Sequence, residues 1–277
     1  MSALPTITLV TPSFNQARYI ERTIRSVIAQ EYSALEWIVV DAMSTDETAE
    51  ILDRYRDLPF LRVIREPDRG QTDAINKGLR QGHGEIAGWL NSDDELLPGA
   101  LHAVARAFAA APEAVAVYGA GRKVDEEGRL LKHVPSRPFD PALLRTAFYI
   151  LQPAFFFRRQ LVLDLGGLDE ALHYAMDWEL AMRLAERGPF ATVNEELAAL
   201  RCYAGTKTEG GGWQRFEEIA RIGRRMNGAF DRNLIAWKLR RLARGSALAR
   251  RCVDFILSQL YPERSVMVVG WPEDSKS

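Results

Sequence analysis

Two cysteines, Cys202 and Cys252, are all that this chain of 277 residues carries, and they stand far apart in no metal-like spacing. A disulfide framework is therefore not expected, and a reducing compartment is the default. Long apolar runs are missing too. Nowhere do about 18 apolar residues follow one another, the length a spanning helix needs. The opening segment MSALPTITLVTPSFN has no basic flank ahead of an apolar stretch, so no signal peptide is expected. Neither sign of charge is in excess. The formal net charge is −1, which argues against a general polyanion binder. No G-x-G-x-x-G follows Val10, which speaks against a dinucleotide-dependent oxidoreductase. A nucleotidyltransferase would want a glycine-rich loop with a basic residue at that place, where TPSFNQ stands instead. Internal repeats and low-complexity linkers are absent. What remains is an ordinary globular composition, 47% hydrophobic and 26% charged, enough for one large domain or a domain with an appended subdomain.

Strand and helix signals alternate through the first half. Residues 7–10 are a β-branched run ending at Thr11-Pro12, and residues 16–30 place Ile20, Ile24, Val27 and Ile28 at helical spacing. A second strand, 37–40, ends at Asp41, and Ser44-Thr45-Asp46-Glu47 opens a helix to about residue 55. Residues 61–64 read as a third strand and 72–81 as a helix. A fourth strand, 85–90, runs into Asn91-Ser92-Asp93-Asp94, and a helix follows from Pro98 to about residue 111. This alternation predicts an α/β fold with a parallel sheet and helices on both faces. Beyond 115 the pattern predicts a strand at 115–118 and a hairpin over 122–134 around Glu126-Glu127-Gly128. A buried strand at 152–157, a helix at 174–187 and an extended segment at 190–201 follow. The expected division is a sheet domain over 1–212 and a helical, arginine-rich extension over 213–277.

Open α/β sheets bind ligands beyond the carboxyl ends of their strands, and each polar cluster lies at such an end. Asp93 and Asp94 are adjacent acids that repel unless something positive lies beside them. Mg²⁺ or Mn²⁺ shared with phosphate oxygens would serve. A solvated turn favouring the following helix is the alternative. Pro12 fixes the exit of the first strand, Phe14 offers an aromatic face to a nucleobase, and Asn15 follows. Asp41 can accept from a base N–H or from ribose hydroxyls. Arg69-Gly70-Gln71-Thr72-Asp73 starts a helix, whose N–H groups and dipole favour an anion. Each of these could equally be a cap or a turn.

Together the segments resemble a family 2 glycosyltransferase with the GT-A fold. The resemblance covers residues 5–208, carried by VTPSFNQARYIERTIRSVIAQ, IVVDAMSTDET, EPDRGQTDAINKGL, GEIAGWLNSDDELLPGAL, QPAFFFRR, GGLDEALHYAMDWELAMRLAERG and RCYAGTKT. It implies a Rossmann-like nucleotide-sugar-binding sheet and inverting transfer of a hexosyl or N-acetylhexosaminyl group to an acceptor hydroxyl. The donor it implies is a nucleotide sugar, most often UDP-linked. Pro12, Phe14, Asn15 and Asp41 fall where such enzymes hold the base, and Gln71, Asp73 and Lys77 where they border nucleotide and sugar. Asp93 and Asp94 match the acidic motif that holds ribose and metal, and Asp177 matches the general base. A base there makes chemical sense, since one carboxylate must take the proton as the hydroxyl attacks C1. Trp178 is an aromatic platform for a sugar, and Gln152 with Pro153 shapes the sugar site. Two departures stand out. Asn91 replaces the usual first acid of the motif, and Tyr203 replaces a histidine two places after the arginine. Tyrosine is a poor ligand for a divalent ion, so the metal would lean on Asp93 or Asp94 with phosphates and water. Lys207 could reach the diphosphate when its loop closes.

The tail from 213 interleaves arginines with apolar residues. It suits either an anionic membrane surface, fitting a lipid-linked saccharide acceptor in surface-polysaccharide assembly, or a helical subdomain with a solvated basic face. No nucleic-acid-reading motif accompanies the charge. The expected location is cytoplasmic, with peripheral contact at the inner face of the membrane under the first reading. The alternative to an enzyme is a catalytically silent nucleotide-sugar-binding or scaffold protein of the same fold, which would bind a donor and turn over nothing.

Overall fold

A computed structural model of the chain describes residues 4–145, 147–207 and 212–226. In chain order the elements are β1 (Ile7–Ser13), α1 (Ile20–Ile28), β2 (Leu35–Asp41), α2 (Thr48–Asp53), β3 (Leu61–Arg65) and α3 (Gln71–Gln81). Next come β4 (Ile86–Trp89), β5 (Glu95–Leu96), α4 (Ala100–Ala110), β6 (Ala116–Val124), β7 (Leu130–Val134) and α5 (Pro141–Leu144). A 3₁₀ turn (Gln152–Ala154), β8 (Phe155–Arg158), α6 (Arg159–Asp164), α7 (Met176–Ala185), β9 (Phe190–Arg201) and α8 (Gly212–Met226) complete them. There are two compact units: one runs to Phe139 and resumes over Ile150–Thr206, the other takes Asp140–Tyr149 and the chain from Lys207. α5 and α8 belong to the second. The arginine-rich tail beyond 226, and the membrane contact expected of it, lie outside the described residues.

The sheet runs β3-β2-β1-β4-β8-β6-β9-β5, with β7 paired to β6. The first four strands are parallel, as their alternation with helices requires. Beyond these the sheet is mixed: β9 runs parallel to β6, and β5 antiparallel to β9. β8 lies antiparallel to both β4 and β6, and β6 and β7 form the expected hairpin. Where a hairpin joins β6 to β7 the pairing is antiparallel, whereas α6 and α7 precede β9, which runs parallel to β6.

Both faces of the parallel part are covered. Ile7, Leu9, Trp37 and Val39 join Ile20, Ile24 and Val27 of α1 and Leu101, Val104 and Phe108 of α4 in one core. On the other face α3 comes so close that a Cβ added to Gly78 would meet Val10 Cγ1 at 2.4 Å. Phe155, Phe156 and Phe157 are all buried, because β8 is an interior strand roofed on both sides. α2 starts at Thr48, later than the sequence suggests. Ser44 and Asp46, the apparent caps, accept from the N–H groups of Asn15 and Ala17 across the gap to the β1 loop.

Candidate functional site

The carboxyl ends of β1, β2 and β3 bring Ser13, Asp41 and Arg65 into register. Asp41 is 0% exposed. Its carboxylate accepts from the Ser44 hydroxyl, the Ser44 N–H (3.1 Å) and Arg65 Nε (3.2 Å). Ser44 Oγ in turn receives the Asn15 N–H at 2.8 Å, while Asn15 Oδ1 accepts from the Thr45 N–H at 2.9 Å. Asn15 and Met43 hold these two loops with φ of 51° and 61°, a region asparagine tolerates better than most residues. Asp41 is thus occupied in ordering the loop. Pro12 is buried in β1, whereas Phe14, one residue past the strand, is left 56% exposed. A large aromatic in water at this edge is a surface suited to stacking.

At the start of α3, Asp73 accepts from the Arg69 N–H (3.0 Å) and Arg69 Nη2 (3.1 Å). Burial raises its pKa, but these bonds and Lys77 outweigh that and bring it down to about 2. Lys77 Nζ reaches the Pro67 carbonyl at 2.7 Å, Glu66 at 3.0 Å and Asp73 at 3.4 Å. Both residues bind the helix to the preceding loop.

The turn after β4 is the most densely bonded part of the site. Gln71 Nε2 donates to Asn91 Oδ1 (2.6 Å), and Asn91 Nδ2 donates to Asp94 Oδ2 (3.1 Å) and Gln152 Oε1 (3.0 Å). Thr23 Oγ1 bonds the carbonyls of Ser92 and Asp94 from α1. From the end of β9, Arg201 donates its backbone N–H to Asp94 Oδ1 (2.9 Å) and its Nε to the Asp93 carbonyl (2.9 Å). Its remaining donors serve Glu95 and the carbonyls of Asp125 and Glu126. The Arg201 side chain is 0% exposed, so these partners are what make a buried guanidinium tolerable. Tyr203 donates its hydroxyl to Asp93 Oδ2 at 3.0 Å, and its ring packs against that of Tyr19 with centroids 4.9 Å apart.

Burial raises the pKa of Asp93, against the pull of Tyr203 and Arg201. Asp94 is raised further by burial and by the neighbouring Asp93 charge, against Arg201 and Asn91. Two raised carboxyls side by side are what a cation would relieve. Among the described residues no three His, Cys, Asp or Glu side chains gather as a metal shell. What the turn offers a hard cation is Asp93, half-buried. Asp94, 2% exposed, has both oxygens engaged inside.

The remaining side of the candidate site is built by α7 and the segment before it. Thr72 Oγ1 donates to the Leu172 carbonyl (3.0 Å) and Asn76 Nδ2 to that of Leu168 (2.9 Å), so this segment lies along α3. Asp177, half-buried in the first turn of α7, accepts the Trp178 N–H at 2.8 Å. Trp178 is buried, as is Glu179, which is locked to Arg183 by a two-oxygen ion pair. Of the two acids in MDWEL, Glu179 is therefore structural. Gln152 donates Nε2 to the Trp89 carbonyl at 2.9 Å and shapes the floor from beneath. Lys207 falls in the second unit.

Direct bonds thus join the Gln71, Asn91, Asp94 and Gln152 side chains, a separate bond joins Asp93 to Tyr203, and Arg201 ties the two groups together. Sequence reasoning did not assign Arg201 or Ser44. The signal for Arg201 was an arginine closing the apolar run LAALR, a charge that must find partners if the strand is buried.

A family model described as "Glycosyl transferase family 2" matches residues 8–176. Chondroitin synthase of Escherichia coli is 29% identical over 70% of this chain and 29% of that protein, so the chain spans under a third of that relative's length. Among solved structures, S. aureus TarS 1-349 in complex with UDP-GlcNAc superposes with a TM-score of 0.64 at 20% identity, covering 92% of this chain and 71% of that one. The mannosyltransferase PcManGT from Pyrobaculum calidifontis, in complex with GDP-Man and Mn²⁺, gives 0.60 at 20% identity over 96% of this chain and 83% of that one.

Proposed function

Since the chain belongs to glycosyl transferase family 2 and has the GT-A fold, we propose that it transfers a hexosyl or N-acetylhexosaminyl group, with inversion, from a UDP-linked donor to an acceptor hydroxyl. The observation that carries this reading is convergence: the start of α3, the Asp93 turn and the end of β9 are hydrogen-bonded in succession at the carboxyl ends of the strands, and Tyr19, just ahead of α1, packs its ring on Tyr203. The segment leading to Asp177 is bonded to that same α3 start.

In this site Phe14 stacks on the base, with Pro12 and Asn15 holding its loop and Asp41 bracing that loop through Ser44. Gln71 fixes the α3 N-terminus, whose N–H groups face the anionic donor, while Asp73 and Lys77 keep the helix start in place. Asp93 is the carboxylate toward the diphosphate, held in aim by Tyr203 and Arg201. Asp93 would hold a divalent cation such as Mn²⁺ or Mg²⁺, which would supply positive charge to steady the departing diphosphate. Asp177 takes the proton from the acceptor hydroxyl as its oxygen attacks C1 from the face opposite the diphosphate. The C1–oxygen bond to phosphate breaks, its electron pair leaves with the nucleoside diphosphate, and one displacement inverts the anomeric centre. Trp178 backs Asp177 from within the core and Gln152 fixes the floor. A saccharide or lipid-linked saccharide of a surface polysaccharide is the acceptor class that the likeness to a polysaccharide synthase supports. The setting is the cytoplasmic side of a membrane, and among the described residues no helix is long and apolar enough to cross one.

The test is a melting-temperature screen of UDP, GDP and their sugars with and without MnCl₂, followed by assay of nucleoside diphosphate release. Stabilisation by UDP sugars with Mn²⁺, together with release, is expected. Binding without turnover against any saccharide acceptor would instead make the protein a silent binder.

A further inference from the structure

Resting on the assignment of Asp93 to the donor diphosphate, we infer that Asn91 is a positioning residue whose amide, acting as a double donor, holds Asp94 in the wall so that Asp93 alone faces the donor.

The direction of every bond in this cluster is fixed by partners that can only accept. A backbone carbonyl, that of Trp89, receives Gln152 Nε2 at 2.9 Å, so Gln152 turns its oxygen toward Asn91. That oxygen and the Asp94 carboxylate both need donors, and Asn91 Nδ2 has two N–H groups to meet them, at 3.0 and 3.1 Å. Asn91 Oδ1 is left to accept, and Gln71 Nε2 meets it at 2.6 Å. The other oxygen of Asp94 receives the Arg201 N–H at 2.9 Å. Each oxygen of Asp94 is thereby assigned inward, and its backbone carbonyl is bonded by Thr23. Asp93, the preceding residue of the same turn, has its carbonyl tied back by Arg201, and only its side chain remains for the cleft.

Aspartate at position 91 would have almost the same shape and the wrong polarity. It would set one acceptor against Gln152 Oε1 and a second charge against Asp94, with no donor for either. The asparagine is therefore required by its neighbours in this chain, and the two residues 91 and 94 form one unit. Exchanging their chemistry restores the bond between 91 and 94 and leaves only Gln152 Oε1 without its donor. In the double variant Asn91→Asp/Asp94→Asn, the new amide at 94 still offers an oxygen to the Arg201 N–H and turns its NH₂ toward the new carboxylate at 91.

UDP and GDP, each with MnCl₂, are titrated calorimetrically into the wild type and variants, using whichever nucleotide the wild type binds better. Asn91→Asp and Asp94→Asn are each expected to weaken binding about ten-fold, and the double exchange, which relieves the clash between 91 and 94 though not the one with Gln152, to bind about three-fold tighter than Asn91→Asp. Arg158→Lys, at the opposite end of β4 and β8, is the control for a merely structural loss: it should lower the melting temperature and leave nucleotide affinity unchanged. If Asn91→Asp fails to fold, Asp94→Asn and the double exchange still decide by rescue. A double variant no tighter than its weaker parent overturns the inference, as does wild-type affinity in either single variant. Asp93→Asn separates this outcome from the functional reading. If it binds nucleotide like the wild type, or if the wild type binds neither nucleotide, the placement of the donor is wrong and the role of Asn91 falls with it.

Discussion

Asp73 and Glu179 are acids in the first turns of α3 and α7, and both are spent on holding their own surroundings. For Asp73 the consequence is measurable. Its folded pKa of about 2 lies below the ordinary 3.8. Its contribution is therefore complete above the ordinary value and is lost as pH falls toward 2. Asp73→Asn should cost about 1–2 kcal/mol at neutral pH, and chemical denaturation should show that cost shrinking as pH falls below 4, about the ordinary carboxylate range. An equal cost at pH 7 and near pH 2 would contradict the ion-pair account. Phe14 is the opposite kind of residue, since it holds nothing and stands in water. Phe14→Ala should weaken nucleotide affinity about ten-fold, a stacking loss of ~1–2 kcal/mol, with the melting temperature unchanged. Glu179→Gln, which breaks the buried pair with Arg183, should do the reverse, lowering the melting temperature while the folded fraction keeps its nucleotide affinity.

Elements β1 to β4 and α1 and α3 were legible because local periodicity alone specifies them: β-branched runs end in turn residues, and helical spacing fills the gaps. The closeness of α3 to β1 is a tertiary fact that the sequence hints at only through Gly78. Gly78→Val should destabilise the fold by about 2–3 kcal/mol through overpacking against Val10. A denaturation midpoint equal to wild type would mean that α3 sits farther from the sheet. β5, two residues long, and the antiparallel insertion of β8 between β4 and β6 could not be read, since both depend on register between segments far apart in sequence. The same limit applied to the site. Asp93, Asp94 and Asp177 were visible as acids at element ends. That Asp94 and Asp41 turn inward depends on Arg201, Asn91, Ser44 and Arg65, partners that only folding brings near.

On the scale of the whole molecule, the chain spans 29% of its chondroitin synthase relative. Net charge near neutral gives the molecule no long-range pull on an anionic donor. On the proposed reading recognition rests on local contacts at the carboxyl ends of the strands, with Phe14, the α3 N-terminus and Asp93 serving the donor and the start of α7 serving the acceptor. That division of labour is the central claim: donor held on one side, proton taken by Asp177 on the other. Asp177→Asn tests it most directly, with nucleotide affinity and acceptor-dependent release of nucleoside diphosphate measured on the same preparation. The account predicts unchanged affinity and a loss of transfer of about 10²–10⁴-fold. Transfer at the wild-type rate, or donor affinity lost along with it, would contradict that division.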